Sequence, residues 1–196
     1  MTLFVVRHGR TTANAGGLLL GRADPDLDDE GRRQARRIAA VLPPDALVVS
    51  SPLGRAFQTA TTVSTDVEID DRLIEMDYGA YDLMPVSEVA PETWQAWRTD
   101  ADFRPPGGES HNECAARVFA SLDEWGREAI DRDVVVVSHV SPIKASVAWA
   151  LQVPIDVSWR CFVGQASITQ IGVTSAGTGL RTSLRSFNDV HHLDAH

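Results

Sequence analysis

Four consecutive valines, Val134 to Val137, followed by Ser138, constrain the fold of this chain more than any other feature. β-Branched residues favour strands, and an unbroken apolar run suits a strand covered on both faces, as in a parallel sheet between helices. Leu3–Val6, Ala46–Ser50 and Val67–Ile69 are shorter runs of the same kind. Between them lie helical patterns. Ala35, Ile38, Ala39 and Leu42 recur at helical spacing over Arg32–Leu42, with acidic residues before the segment and Pro43-Pro44 after it. Ser51-Pro52 reads as an N-cap with proline at the first helical position, predicting a helix from Pro52 to Thr62. Ser110 is expected to cap a long helix over His111–Ile130, and Ser141-Pro142 to open another. Ala166–Val173 and Leu180–Phe187 alternate as the strands of a final hairpin. The expected fold is α/β, a three-layer α/β/α sandwich around a mostly parallel central sheet. Residues 78–109, rich in Trp, Pro and acidic side chains, form a small cap of short helices within a single domain spanning 1–196.

Charge and composition narrow the function. The formal net charge of -9 argues against a general nucleic-acid or membrane-surface binder. No apolar run approaches the roughly 20 residues needed to span a bilayer, and the start of the chain reads as core rather than as a signal peptide. Cys114 and Cys161 have no motif spacing, so they read as reduced thiols, with a cytoplasmic location expected. His191, His192 and His196 read as a mobile or structural tail rather than a metal site.

Two of the expected strands run directly into histidine: Val6-Arg7-His8 and Val137-Ser138-His139. Each is followed by a helix start or turn, where free N–H groups favour an anion. Arg55 falls in the first turn of the helix after Ser51-Pro52. Taken singly, such a histidine is more often a satisfied polar group, Arg55 a solvated helix residue and Glu75 a surface carboxylate. If the three strands are neighbours, Arg7, His8, Arg55 and His139 converge on one sheet edge, an arrangement suited to phosphate.

Arg7-His8-Gly9-Arg10-Thr11-Thr12-Ala13-Asn14 resembles the RHGxTxxN signature of the histidine phosphatase superfamily, the phosphoglycerate mutase-like proteins. The resemblance continues through Gly21–Asp24, Leu27, Gly31, Gln34 and Ala35, then Ser51–Ala60, Glu75 with Gly79, Pro106–Ser110 and Ser138-His139. It closes with Asn188–Leu193. It implies that His8 accepts the phosphoryl group, that Arg7, Arg55 and His139 hold its oxygens with a contact from Asn14, and that Glu75 supplies a proton. No metal or other cofactor is implied, because arginines take the charge-neutralising role. Val140-Ser141-Pro142-Ile143-Lys144 after His139 resembles the α-ribazole phosphatase-like branch and related acid phosphatase domains.

The resemblance implies a metal-independent phosphatase for a small phosphorylated metabolite, acting through phosphohistidine. A cofactor-dependent phosphoglycerate mutase and an inactive phosphate-binding module are the alternatives. The short interval between Glu75 and His139 and the Pro-Gly-Gly-Glu-Ser segment favour hydrolysis. Arg10 stands where the family most often has Glu; it is a candidate for binding substrate or for a surface ion pair. Arg22 is a second candidate for the substrate's non-reacting part, and Lys144, the only lysine, either contacts substrate or stays exposed. The natural substrate and the oligomeric state, a homodimer among the options, are open at this level.

Overall fold

The computed structural model describes residues 1–194, so His196 lies outside the described residues. Its frame is one six-stranded sheet in the order β3-β2-β4-β1-β5-β6. The strands are β1 (Thr2–Arg7), β2 (Leu47–Ser50), β3 (Val67–Ile69), β4 (Val134–Ser138), β5 (Ile168–Ala176) and β6 (Gly179–Asp189). The first four are mutually parallel, while β5 joins β1 antiparallel and forms the expected hairpin with β6.

The valine run sits at the centre of the sheet, and its period-2 alternation divides the core in two. Val134 and Val136 face a large cluster with Leu3, Val5, Val118, Leu122 and Ile143. Val135 and Val137 face a smaller one with Val6, Val48, Ile38, Leu42, Ala56 and Ala60. Helices α5 (His111–Glu128) and α6 (Val140–Leu151) cover the first face; α2 (Asp29–Ala39) and α3 (Gly54–Ala60) cover the second. The three-layer α/β/α arrangement therefore follows from a strand with no polar side.

Register places the chemistry. Arg7 of β1 lies opposite Ser138 of β4, and Ser50 of β2 opposite Val137, so the C-terminal ends of three parallel strands form one edge. In open α/β sheets ligands bind at such an edge. The turn after β1 leads through Gly9 into α1 (Thr12–Ala15), packed backbone to backbone on the start of α2. A Cβ on Gly9 would lie 2.4 Å from the Gly31 carbonyl oxygen, and one on Gly31 would lie 2.0 Å from that of Arg10. Only glycine permits either approach.

Two expected helix starts are displaced. Helix α3 begins at Gly54 rather than Pro52, with Leu53 as its N-cap, and α6 begins at Val140 with His139 as its N-cap. Both differences arise at the functional edge. Ser110, by contrast, caps α5 as expected, in a reciprocal capping box with Glu113.

Residues 78–109, the expected cap, contain two 3-10 turns and α4 (Pro91–Thr99). Trp97 is 1% exposed and forms their centre. Tyr78, Tyr81, Trp94 and Phe103 surround it, with ring centroids 5.9, 5.6, 5.3 and 5.7 Å away. Trp97 belongs to the larger core cluster with Leu3, Val5 and Val134, and the other four rings pack against it.

Asp70, at the end of β3, anchors the segment that leads to Glu75. Its carboxylate accepts hydrogen bonds from Ser121 Oγ at 2.7 Å, Trp125 Nε1 at 2.8 Å and both Nε and Nη2 of Arg72 at 2.8 Å. Burial alone would raise its pKa, but these donors together pull it down to about 2 from 3.8. The folded-state value is depressed, so the linked stabilisation is full above the unfolded pKa and disappears as pH falls through about 2. It amounts to about 2 kcal/mol, allowing for the partly solvated Arg72 partner. Asp70→Asn is expected to lower stability in urea by about 2 kcal/mol at pH 7. The gap from wild type should narrow by about 1 kcal/mol at pH 3. A gap unchanged between the two pH values would contradict this.

Candidate active site

His8 follows the last residue of β1 and is 2% exposed. Its Nδ1 lies 2.7 Å from the Gly9 carbonyl oxygen. A carbonyl only accepts, so Nδ1 carries the ring proton and Nε2 presents a bare lone pair. That lone pair accepts a hydrogen bond from Arg55 Nε at 3.3 Å. Burial, then the cations of Arg55 and Arg7, hold the His8 pKa well below its ordinary value, so the ring is neutral near pH 7.

Arg55 is fully buried in the first turn of α3. Its Nη1 donates to the Ala23 carbonyl at 2.7 Å and its Nη2 to that of Gly21 at 2.8 Å, with Asp24 3.4 Å from Nη1. The segment 21–24 thus aims the guanidinium at His8. Arg7 donates from Nη1 to the Val163 carbonyl at 2.8 Å, while its buried Nε has no partner among the described residues. Burial pushes the Arg7 pKa down to about 10, which leaves it a cation at neutral pH.

His139 completes the arc, its ring centroid 5.0 Å from that of His8. Its Nε2 lies 2.7 Å from Ser51 Oγ, which also accepts from the backbone N–H of Leu53. Ser51 Oγ, with one proton and two lone pairs, can meet Nε2 as donor or as acceptor. The other ring nitrogen, Nδ1, is buried and unpartnered among the described residues. Burial, then Arg55, His8 and Arg7, hold the His139 pKa well below 6.5. Ser51, expected as a helix cap, instead orients a histidine.

Glu75 comes in from the irregular segment after β3. Its carboxylate accepts backbone hydrogen bonds from Met76 at 2.7 Å, Val140 at 3.0 Å and Ser141 at 3.1 Å. The latter two are free N–H groups of the first turn of α6, next to His139. Arg117 of α5 secures the chain on either side. Its Nη1 donates to the carbonyls of Arg72 and Ile74, both at 2.6 Å, and its Nη2 to that of Glu75 at 3.2 Å. Its partner Glu109 also accepts from the backbone N–H of Asp77 at 3.0 Å. Arg117 carries no motif signal in the sequence; Glu109 lies in the Pro106–Ser110 segment that does.

His8, Arg7, Arg55, His139 and Glu75 thus gather at one edge. The other three expected site residues have defined engagements of their own. Asn14 Oδ1 accepts from the backbone N–H and hydroxyl of Thr11 in a capping box, leaving its amide nitrogen as the group free to turn to a ligand. Arg10 pairs through Nε with Asp28 at 2.7 Å, at the N-cap of α2. Arg22 reaches Glu109 at 3.4 Å, and its buried Nε has no partner among the described residues. No group of three or more His, Cys, Asp or Glu side chains is arranged to hold a metal among the described residues.

A buried neutral imidazole with its lone pair toward one guanidinium, a second guanidinium nearby and unpaired N–H donors around it can accept a phosphoryl group and bind its oxygens. The chain belongs to the histidine phosphatase superfamily (branch 1), whose sequence profile matches residues 3–185. Among its relatives is the glucosyl-3-phosphoglycerate phosphatase of Mycolicibacterium vanbaalenii, 39% identical over 187 residues, covering 86% of this chain and 83% of that protein. A mycobacterial glucosyl-3-phosphoglycerate phosphatase solved in complex with VO3 superposes with a TM-score of 0.87 at 32% identity, covering 96% of this chain and 99% of the other. The chain is also 37% identical over 177 residues to a bifunctional protein of Mycobacterium tuberculosis; the match covers 85% of this chain but about half, 49%, of that protein. Among the described residues no helix is long and apolar enough to cross a membrane.

Proposed function

We propose that this chain is a metal-independent phosphomonoesterase acting on a small phosphorylated metabolite through phosphohistidine at His8. The observation that carries the reading is the bare Nε2 lone pair of His8, faced by Arg55. Arg7 Nε, buried and unpartnered among the described residues, is a further donor for the phosphoryl oxygens, and His139 Nδ1, likewise unpartnered among them, donates as well when it carries the ring proton.

His8 Nε2 attacks phosphorus in line, forming an N–P bond as the ester P–O bond breaks. Arg7, Arg55 and His139 donate to the equatorial oxygens, on which charge is spread in the transition state. The amide of Asn14 is a further donor. Glu75 gives a proton to the departing oxygen, which would otherwise leave as an alkoxide. Its carboxylate then takes a proton from water as that water attacks phosphorus, the N–P bond breaks, and phosphate and neutral His8 are restored. The cations and N–H donors at this edge supply the charge neutralisation that Mg²⁺ provides in other phosphoryl-transfer sites. Arg10, paired with Asp28, and Arg22, paired with Glu109, are candidates for contact with the non-reacting part of the substrate. The names of the relatives support a small organic phosphate monoester as substrate, and glucosyl-3-phosphoglycerate is the first to assay.

The test is turnover of p-nitrophenyl phosphate in EDTA, with acid-labile, alkali-stable label trapped on the protein from a phosphorus-labelled ester. Phosphate release and trapped label are expected. Loss of activity in EDTA that is restored by a divalent metal would overturn metal independence. Conversion of 3-phosphoglycerate to its 2-isomer without phosphate release would identify a mutase instead.

A further inference from the structure

Lys144 lies one helical turn beyond Val140 and Ser141, whose N–H groups hold Glu75, so it stands beside the catalytic edge. Its ammonium packs 5.7 Å from the centroid of the Trp159 ring. The His111 ring meets the same indole edge-on at 5.1 Å, and its buried Nδ1 has no partner among the described residues. No carboxylate pairs with Lys144 among the described residues. The nearby acids are committed or solvated: Glu75 to three backbone N–H groups, Glu109 to Arg117 and Asp77, and Asp156 exposed on the surface. A half-buried cation without a counter-ion, in a chain of net charge -9, calls for an anion from outside. Burial lowers the pKa of Lys144, opposed by Cys161 and then Glu75 and reinforced by Arg7.

We infer that Lys144, with His111 on the Trp159 ring, forms a second anion site that receives a carboxylate on the leaving-group side of the substrate. The inference rests on the phosphatase reading for its orientation, with phosphate at His8 and the remainder of the substrate toward α6. An ammonium and a ring nitrogen that donates when it carries the imidazole proton match the two oxygens of a carboxylate. The indole draws the ammonium by cation–π attraction, and the Arg98 guanidinium, 5.7 Å from the same ring centroid, adds a second positive charge beside it.

The experiment compares binding of 3-phosphoglycerate and glycerol phosphate, which share a phosphate and differ by carboxylate against hydroxymethyl. Calorimetry on the His8→Ala protein reads the two dissociation constants without turnover. A preference for the acid of about tenfold or more is expected, retained in His8→Ala/Lys144→Arg and reduced to within about threefold of unity in His8→Ala/Lys144→Met. Equal affinity for both ligands in the Lys144 protein, or a preference that survives Lys144→Met, would overturn the inference. Failure of the wild-type chain to hydrolyse either ester would count against the phosphatase reading alone, because the binding ratio is obtained independently of it.

Discussion

Replacing His8 with alanine should lower kcat/KM for p-nitrophenyl phosphate by on the order of 10⁴-fold or more, with the melting temperature close to wild type. The size of the effect follows from the surroundings of the ring. His8 is the imidazole whose proton is fixed by a carbonyl on one nitrogen while the other faces the arginines. His139 cannot take over, because its Nε2 is held by Ser51 Oγ at 2.7 Å. Once the imidazole is gone, Arg7 and Arg55 still gather a phosphate but have nothing to transfer it to. Vanadate should therefore bind the variant while trapped label is lost. Retention of more than about a hundredth of wild-type activity would refute His8 as the phosphoryl acceptor.

Glu75→Gln should show a leaving-group dependence that separates chemistry from architecture. For an alkyl phosphate, whose alkoxide must be protonated, kcat is expected to fall by about 10² to 10⁴-fold. For p-nitrophenyl phosphate, whose phenolate leaves without a proton, formation of phosphohistidine should change much less. Its hydrolysis, which needs a base for water, should become rate-limiting, giving a burst of p-nitrophenol and accumulated label. Equal losses for both esters would remove Glu75 from the proton-transfer role. The substitution also replaces one carboxylate oxygen by an amide nitrogen that cannot accept, so an N–H among Met76, Val140 and Ser141 loses its partner. A stability loss of about 1–3 kcal/mol is expected alongside the kinetic effect.

The strands and the residues at their ends were readable in the sequence because a local pattern determines both. A run of valines buried on two faces announces its own surroundings, and the residue that follows it must emerge at the sheet edge. The starts of α3 and α6 were misplaced because distant groups decide them. Ser51 points to His139 across the edge, and the first N–H groups of α6 are taken by Glu75, a residue that is remote in sequence. Glu75 was recognised through its motif, but its placement depends on Arg117, a lone arginine on an ordinary amphipathic helix whose bonds to three carbonyls leave no trace in spacing. Arg10 shows the converse: its position in the opening motif suggested a ligand contact, while its guanidinium pairs with the Asp28 cap of α2.

Trp97 and the rings around it join residues 78–109 to the same core that holds β1, β4, α5 and α6, while Arg7, His8, Arg55, Glu75 and His139 all come from segments outside α4. The phosphoryl machinery therefore stands on elements that share a core with α4 without containing any part of it. A substitution that unseats Trp97 would accordingly be felt by β4 and α5, beside the catalytic edge, as well as by α4 itself.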